Sequence, residues 1–376
     1  MAEKIKVLHV LHTMNRGGAE NAIMNYYRFV DRSRVQFDFL LTDPNPCSFE
    51  EELLSLNSVI YRAPQFTMSH PQRYISFVNR FFKEHGEYKI VHSHTSSKSF
   101  FPLWLAKRNG VPVRICHSHS SKTDAGVKGA LRNALMPMLK TVATDFLACG
   151  EQAAIWLYGN RFFNQGKVQI YKNVIDASLF RYNFDKRNEI RNSLHLQSDD
   201  FVIGHTARFC DVKNHLFDLD VLAEAVKLYP QTKLLLVGDG ELRPAIVEKA
   251  NSLGLTDYVI MTGVVTNVSD YEQAMDVFIL PSFFEGLPLS IIEAQTSGLP
   301  CFTTEGTVSK ECSVTDLVQY LPLDNPKVWS ERIISVKDKD RVDRYDEIVK
   351  EGYDAATSAV KLQRFYEDKY FQSIKN

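Results

Sequence analysis

Two glutamates, Glu285 and Glu293, stand with seven residues between them in the stretch FFEGLPLSIIEA. Glu285 precedes a Gly-Leu-Pro turn, and Glu293 falls inside the apolar run behind it. Pro288 suits the first turn of a helix, so one carboxylate belongs to a turn and the other to a helix. At different depths of one cleft they could hold the hydroxyls of a sugar and of a ribose, while the helix N-terminus faces an anion. The plainer reading is two surface acids near a helix start, where the dipole favours them. Upstream, ARFCDVKNH carries Arg208 and Lys213 behind an apolar run. Together they could neutralise a diphosphate, the arginine by its fork and the lysine as a point charge. Two exposed loop cations are the ordinary alternative.

Further residues could serve the same chemistry. In NRGGAENA, Gly17 and Gly18 would let backbone N–H groups approach a phosphate. The stretch has neither the G-x-G-x-x-G fingerprint nor the lysine-serine/threonine of a P-loop. The lone G-x-G of VGDGEL, Gly238 and Gly240, reads as a plain turn. HSH occurs twice, with His92 and His94 on one strand face and His117 and His119 on another. With no nearby acidic ligand and no Cys-x-x-Cys pair, a metal site is not expected. Histidines at the lip of a cleft are better placed to meet a sugar.

Those residues need strands to carry them. KIKVLHVLH, the glycine turn and ENAIMNYYRFV read as strand, turn and helix, the opening of a parallel α/β unit. The pattern continues through YKIVHSH, VPVRICHSH, ATDFLACG and VQIYKNVI. A second series starts at FVIGHTARF and runs through TKLLLVGDG, YVIMTG, DVFILPS and LPCFTT. We therefore expect one Rossmann-like domain over residues 1–180 and a second over 181–355. The charged stretch 181–200 would be their joint, and a helix over 356–376 would brace the two. The motif residues all fall just after strands, where open parallel sheets bind ligands.

The bulk numbers agree with that division. A chain of 376 residues exceeds twice the ~150 typical of one domain. Net charge −1 points to neither nucleic acid nor membrane, but residues 1–180 hold 22 Lys/Arg against 14 Asp/Glu, a net of +8. Within 97–141, eight cations face the single acid Asp124, and VKGALRNALMPMLKTVA mixes cations with apolar residues at helical spacing. That is how a helix lying on an anionic membrane surface reads. The six scattered cysteines, the lack of a ~20-residue apolar run and the charged N-terminus suggest a cytoplasmic protein without disulfides.

Taken together the motifs resemble the retaining glycosyltransferases of the GT-B fold, family 4, and most of all bacterial enzymes of capsular or exopolysaccharide synthesis. The likeness runs through GGAE, the paired HSH strand ends, GHTARF…KNH, LLLVGDGELR, VIMTGVV, EGLPLSIIEAQTSGLP and SKE. It implies an α/β architecture of two facing Rossmann-like domains with the donor cleft between them. It implies that Glu285, with Gly286 and Leu287, meets the donor sugar, and that Glu293 holds the ribose. Arg208 and Lys213 become the diphosphate clamp, Gly263, Val264 and Val265 lie beside the nucleobase, and Gly17 and Gly18 lie near the phosphates. The key histidine falls at His119, with His117 one strand step away as the alternative and His94 as a further sugar or acceptor contact.

The implied reaction moves a hexose from a UDP-sugar donor to a polyprenyl-diphosphate-linked saccharide acceptor at the inner face of the plasma membrane. It needs no cofactor, no metal and no nucleic acid. A sugar-nucleotide epimerase, a sugar phosphorylase and a silent sugar-nucleotide-binding partner are the rival readings. A retaining glycosidase would also use two carboxylates, but would give the Arg/Lys pair nothing to clamp. One departure is NVID (Asn173 to Asp176) where many relatives read Asn-Gly-Val-Asp.

Overall fold

The computed structural model describes residues 4–67, 69–119 and 127–375. The chain forms two compact units, the first ending at Val174 and resuming at Ala355, the second running from Ile175 to Asp354. Each is a Rossmann-like parallel sheet between helices.

The first unit has seven strands: β1 (Ile5–Leu11), β2 (Val35–Leu41), β3 (Ile60–Arg62), β4 (Ile90–Ser93), β5 (Val113–Ser118), β6 (Asp145–Ala148) and β7 (Gln169–Ile170), in the order β3-β2-β1-β4-β5-β6-β7. Every pairing is parallel. Alternate side chains feed two cores, as the strand period of two requires. Val7, Phe37 and Phe39 enter one with the helix Gly18–Phe29, while Leu8, Leu40 and Val91 enter the other with Pro71–Glu84 and Phe100–Arg108. The strand order reverses between β1 and β4, which opens a crevice at their carboxyl ends.

The second unit repeats the plan with β8 (Phe201–Thr206), β9 (Thr232–Val237), β10 (Val259–Met261), β11 (Val277–Leu280), β12 (Cys301–Thr304) and β13 (Val318–Leu321), in the order β10-β9-β8-β11-β12-β13. Its reversal lies between β8 and β11. The loops carrying Arg208, Lys213 and Glu285 leave those two strands.

The structure corrects the expected boundaries. The first crossing lies between Val174, packed in the first unit's core, and Ile175, packed with Ala177 and Phe180 in the second's. The stretch 181–200 is not a joint but part of the second unit. It contains the helix Phe184–Ser193, whose buried Arg191 donates to the carbonyls of Ala274, Gln197 and Asp200. The C-terminal helix Ala355–Lys375 belongs to the first unit rather than standing apart as a third segment. It sets Ala359, Leu362 and Tyr366 into that core, Tyr366 edge-on to Phe37 at 5.7 Å. Arg34–Glu367 and Lys369–Asp145 ion pairs lie along its length. Among the described residues, no helix is long and apolar enough to cross a membrane.

Candidate functional site

In the second unit, the loop leaving β8 is held by close backbone approach. Phe209 N–H donates to the Asp239 carbonyl at 3.0 Å, and Leu242 N–H to the Phe209 carbonyl at 3.1 Å. A Cβ on Gly238 would stand 2.0 Å from the Ala207 carbonyl oxygen, and one on Gly240 would stand 2.3 Å from that of Phe209. VGDGEL is thus more than the plain turn expected: only glycine lets it seat the cation loop. The same loop is tied to the one leaving β11, since Phe283 N–H donates to the Val212 carbonyl at 2.9 Å and the Asn214 amide to that of Pro281 at 3.1 Å.

Those ties bring Lys213 and Glu285 together. The ammonium lies 2.5 Å from Glu285 Oε1, and Ser282 Oγ donates to the same oxygen at 2.9 Å. The pair is mostly buried, with 24% and 14% of the side chains exposed. Arg208 stands apart from this contact: it is 72% exposed and pairs with Glu241 at 3.0 Å. The two expected clamp cations are therefore matched to different carboxylates. Glu285 is fixed from behind by its N–H on the Thr307 carbonyl at 3.0 Å. Gly286 is exposed, and Leu287 packs against the unit's core.

Glu293 lies in the helix Leu289–Thr296, as expected, with Pro288 as its N-cap rather than its first residue. It is half-buried, and burial pushes its carboxyl up to about 7. Its neighbour Glu272, wholly buried on the helix Val268–Ala274, is raised by burial and then by the Glu293 charge. The Gly263 carbonyl accepts from Gly238 N–H at 3.1 Å and from Thr262 Oγ1 at 2.9 Å, while Val264 projects outward, 74% exposed. Val265 packs on the core.

Beneath the cation loop lies a buried group the sequence reading passed over. His205 Nδ1 and Asp218 Oδ2 are 2.7 Å apart with no solvent exposure, and His215 stacks on His205 at 4.3 Å with rings 5° from parallel. Burial lowers both imidazoles to about 3 and raises the Asp218 carboxyl. The pair is thus one buried proton shared between two groups. The three residues lie close enough to hold a metal. Near-parallel stacked rings, however, keep their in-plane lone pairs in separate planes, a poor fit to one ion.

The first unit gathers histidines where β1, β4 and β5 end. His9 pairs across the sheet with His92. His119 Nδ1 meets Asn173 Oδ1 at 2.9 Å, His94 Nδ1 meets His119 Nε2 at 2.9 Å, and His9 Nδ1 meets His94 Nε2 at 3.0 Å. A second row runs from Tyr366 Oη to His92 Nδ1 at 2.6 Å and from His92 Nε2 to His117 Nδ1 at 3.2 Å. Burial lowers all five, His119 to about 4 and His9 to about 3. His117 is 4% exposed and His94 and His119 are half-buried, so of the expected sugar contacts His117 is the interior one. His94, His117 and His119, like His9, His92 and His94, lie near enough to hold a metal, but the two hydrogen-bonded rows already use most of their ring nitrogens.

Beside this cluster is a cavity of about 560 Å³ within the first unit. Phe66, Phe101 and Trp156 supply an apolar wall, and His94, Glu20 and Gln65 a polar one. Gly17 is the N-cap of the helix Gly18–Phe29, with the Glu20 carboxylate folded over it. In the basic stretch 97–141, Lys122 lies outside the described residues and the side chains of Lys128 and Arg132 are not described. Arg114 is spent on the carbonyls of Val142, Val111 and Pro112, and Lys107 on that of Thr141.

Two Rossmann-like units, with a lysine–glutamate contact and a second glutamate at the strand-order reversal of the latter, define a GT-B glycosyltransferase. The chain belongs to that class by descent as well. Residues 200–337 match the family "Glycosyl transferases group 1", and residues 17–154 match "Glycosyl transferase 4-like domain". It is 37% identical over 370 residues to EpsF of Bacillus subtilis (strain 168), itself assigned as a glycosyltransferase, covering 96% of both chains. It is 23% identical to the UDP-Gal:alpha-D-GlcNAc-diphosphoundecaprenol alpha-1,3-galactosyltransferase of Escherichia coli, over 80% of this chain and 79% of that one. Its fold matches HepE of Anabaena, solved in complex with UDP, with a TM-score of 0.72 at 17% identity over 99% and 98% of the two chains.

Proposed function

We propose that this glycosyltransferase moves a hexose from a UDP-sugar to a lipid-linked saccharide during bacterial surface polysaccharide synthesis, with retention of the anomeric configuration. The observation that carries the reading is the Lys213–Glu285 contact at 2.5 Å, with Ser282 on the same carboxylate and Glu293 in the helix behind. In this reading Lys213 and Arg208 meet the diphosphate, Glu285 the hexose and Glu293 the ribose. The positive charges and the N-terminus of the helix Leu289–Thr296 stabilise charge developing on the leaving diphosphate, a task that calls for no cofactor. The acceptor hydroxyl attacks the face that the diphosphate leaves, and its proton passes to the departing phosphate oxygen. His119 supports the donor sugar rather than acting as nucleophile.

UDP is the nucleotide in the name of the E. coli relative and in the HepE complex, and a diphosphoundecaprenol-linked sugar is that relative's acceptor. Calorimetric titration with UDP and GDP tests the donor half, on wild type and on Arg208→Ala and Glu293→Ala. UDP binding weakened by both substitutions supports the reading; preference for GDP changes the donor class; binding of neither nucleotide ends it. A lipid-linked acceptor also places the reaction at the cytoplasmic face of a membrane. Arg108, over the Trp104 ring at 5.1 Å, and Lys140, over that of Phe162 at 4.6 Å, are described cations for that contact. Flotation with anionic liposomes should weaken on reversing both charges, and undiminished flotation would count against a membrane contact there.

A further inference from the structure

We propose that Asn173 is a positioning residue for His119: its side-chain carbonyl fixes the imidazole with the proton on Nδ1, leaving the Nε2 lone pair to accept a hydroxyl of the donor sugar. The inference rests on the reading above, in which His119 serves the donor sugar.

The argument starts from how firmly Asn173 is held. It is 6% exposed, and the backbone on each side of it is clamped by the helix Gly18–Phe29. Tyr26 Oη donates to the Lys172 carbonyl at 2.8 Å, and the Asn25 amide donates to that of Val174 at 2.8 Å. An amide side chain between two clamped peptides cannot drift, so its 2.9 Å contact to His119 Nδ1 has one direction.

A carbonyl oxygen only accepts, so His119 Nδ1 carries the hydrogen. A buried imidazole is neutral, and its other nitrogen then holds a lone pair. The rest of the row follows by the same rule. His94 Nδ1–H donates to His119 Nε2, and His9 Nδ1–H donates to His94 Nε2. The row ends at His9 Nε2, buried without a partner beside Phe37, where a lone pair is less costly to strand than an N–H. One amide thus sets the tautomer of three imidazoles. A sugar hydroxyl that displaces half-buried His94 finds an acceptor at His119 Nε2, not a second donor.

The test begins with the full-length wild-type chain labelled with ¹⁵N-histidine, using His119→Gln to assign the resonance. Nδ1–H with an unprotonated Nε2 at His119 is expected; the opposite tautomer overturns the proposal whether or not the protein is active. Asn173→Ala should release the tautomer and lower kcat by about tenfold, the worth of one hydrogen bond, with UDP affinity unchanged. Asn173→Asp should hold His119 as an imidazolium, which cannot accept at Nε2. Its activity should be low in acid and return as pH rises through the raised His119 pKa, an acid limb that wild type lacks. Loss of thermal stability in both variants with wild-type kcat and pH profile would make Asn173 structural and overturn the proposal. Failure of wild type to bind UDP would instead strike the functional reading, and the tautomer measurement would still stand.

Discussion

At the end of β1 and β4 the first unit buries five imidazoles; at the end of β8 and β11 the second places Lys213 against Glu285 and Glu293 near Glu272. The topological position is the same and the electrostatics are opposite. Imidazole can shed its charge near neutral pH, so five of them share a dry space as neutral donors and acceptors. Lys213 keeps its charge, and burial is tolerable because Glu285 and Ser282 sit on it. The first unit therefore offers directional hydrogen bonds without net charge, and the second offers charge held in reserve by a partner. A reaction that separates charge on a phosphate while handling neutral hydroxyls uses both kinds of surface.

Acid should separate the two units most strongly. Each buried imidazole of the first unit is depressed from an ordinary 6.5, His119 to about 4 and His9 to about 3. Below 6.5 the unfolded chain takes up protons that the folded unit refuses, so stability is complete above 6.5 and is lost as pH falls towards those values. Five such groups allow a slope of up to roughly 7 kcal/mol per pH unit. In the second unit, the His205–Asp218 pair keeps one proton and its unfolded counterpart also binds one between about 4 and 6.5. Only His215 adds to the deficit, for roughly 1.4 kcal/mol per unit. Hydrogen exchange from pH 7 down to 4.5 should release the amides of β1, β4 and β5 before those of β8, β9 and β11. Simultaneous release would show that the imidazoles take up protons in place.

The contrast inverts on the alkaline side. Above 6.5 the unfolded His205 and Asp218 hold no proton while the folded pair still holds one, so stability falls as pH rises, by up to roughly 1.4 kcal/mol per unit. Asp218→Asn removes that titration. Urea midpoints from pH 7 to 9 should decline more steeply in wild type than in the variant, and the difference cancels other groups such as Glu293. Equal slopes would mean that Asp218 is buried as a bare carboxylate beside a neutral His205.

These contrasts mark what the sequence could disclose. The strands were legible because each is a short, nearly continuous apolar run, and the site residues because they follow strand ends: Lys213, Glu285 and Glu293 fall in the second unit as expected. The boundary was not legible, since Val174 and Ile175 are adjacent apolar residues that face different cores. Nor was the helix Phe184–Ser193, a charged segment secured by Arg187 and Arg191 rather than by an apolar stripe. Partners far along the chain carried no local signal. His119 and Asn173 are 54 residues apart and His92 and Tyr366 are 274 apart, although NVID had already drawn attention to Asn173. Ser282 and Glu272 look like ordinary residues at the end of a strand and within a helix until the fold sets them beside Glu285 and Glu293.

The smallest expected effect separates the two cations of the second unit. Lys213 is mostly enclosed with Glu285, whereas Arg208 and Glu241 meet in open solvent. An exposed pair gains little from its contact, because water screens it and two long side chains must be ordered to make it. Glu241→Ala should therefore leave the thermal midpoint unchanged within error. It should nevertheless matter for ligand, since Glu241 occupies the same guanidinium fork that the proposed reading gives to the diphosphate. Freeing that fork should tighten UDP binding a few-fold at low salt, and the gain should fade as salt screens the competing carboxylate in wild type. An affinity equal to wild type, in a protein where Arg208→Ala does weaken UDP, would mean that Arg208 leaves Glu241 at negligible cost. Equal affinity in all three proteins would leave Lys213 as the sole cation on the diphosphate, and the enclosed ion pair, not the exposed one, as the clamp.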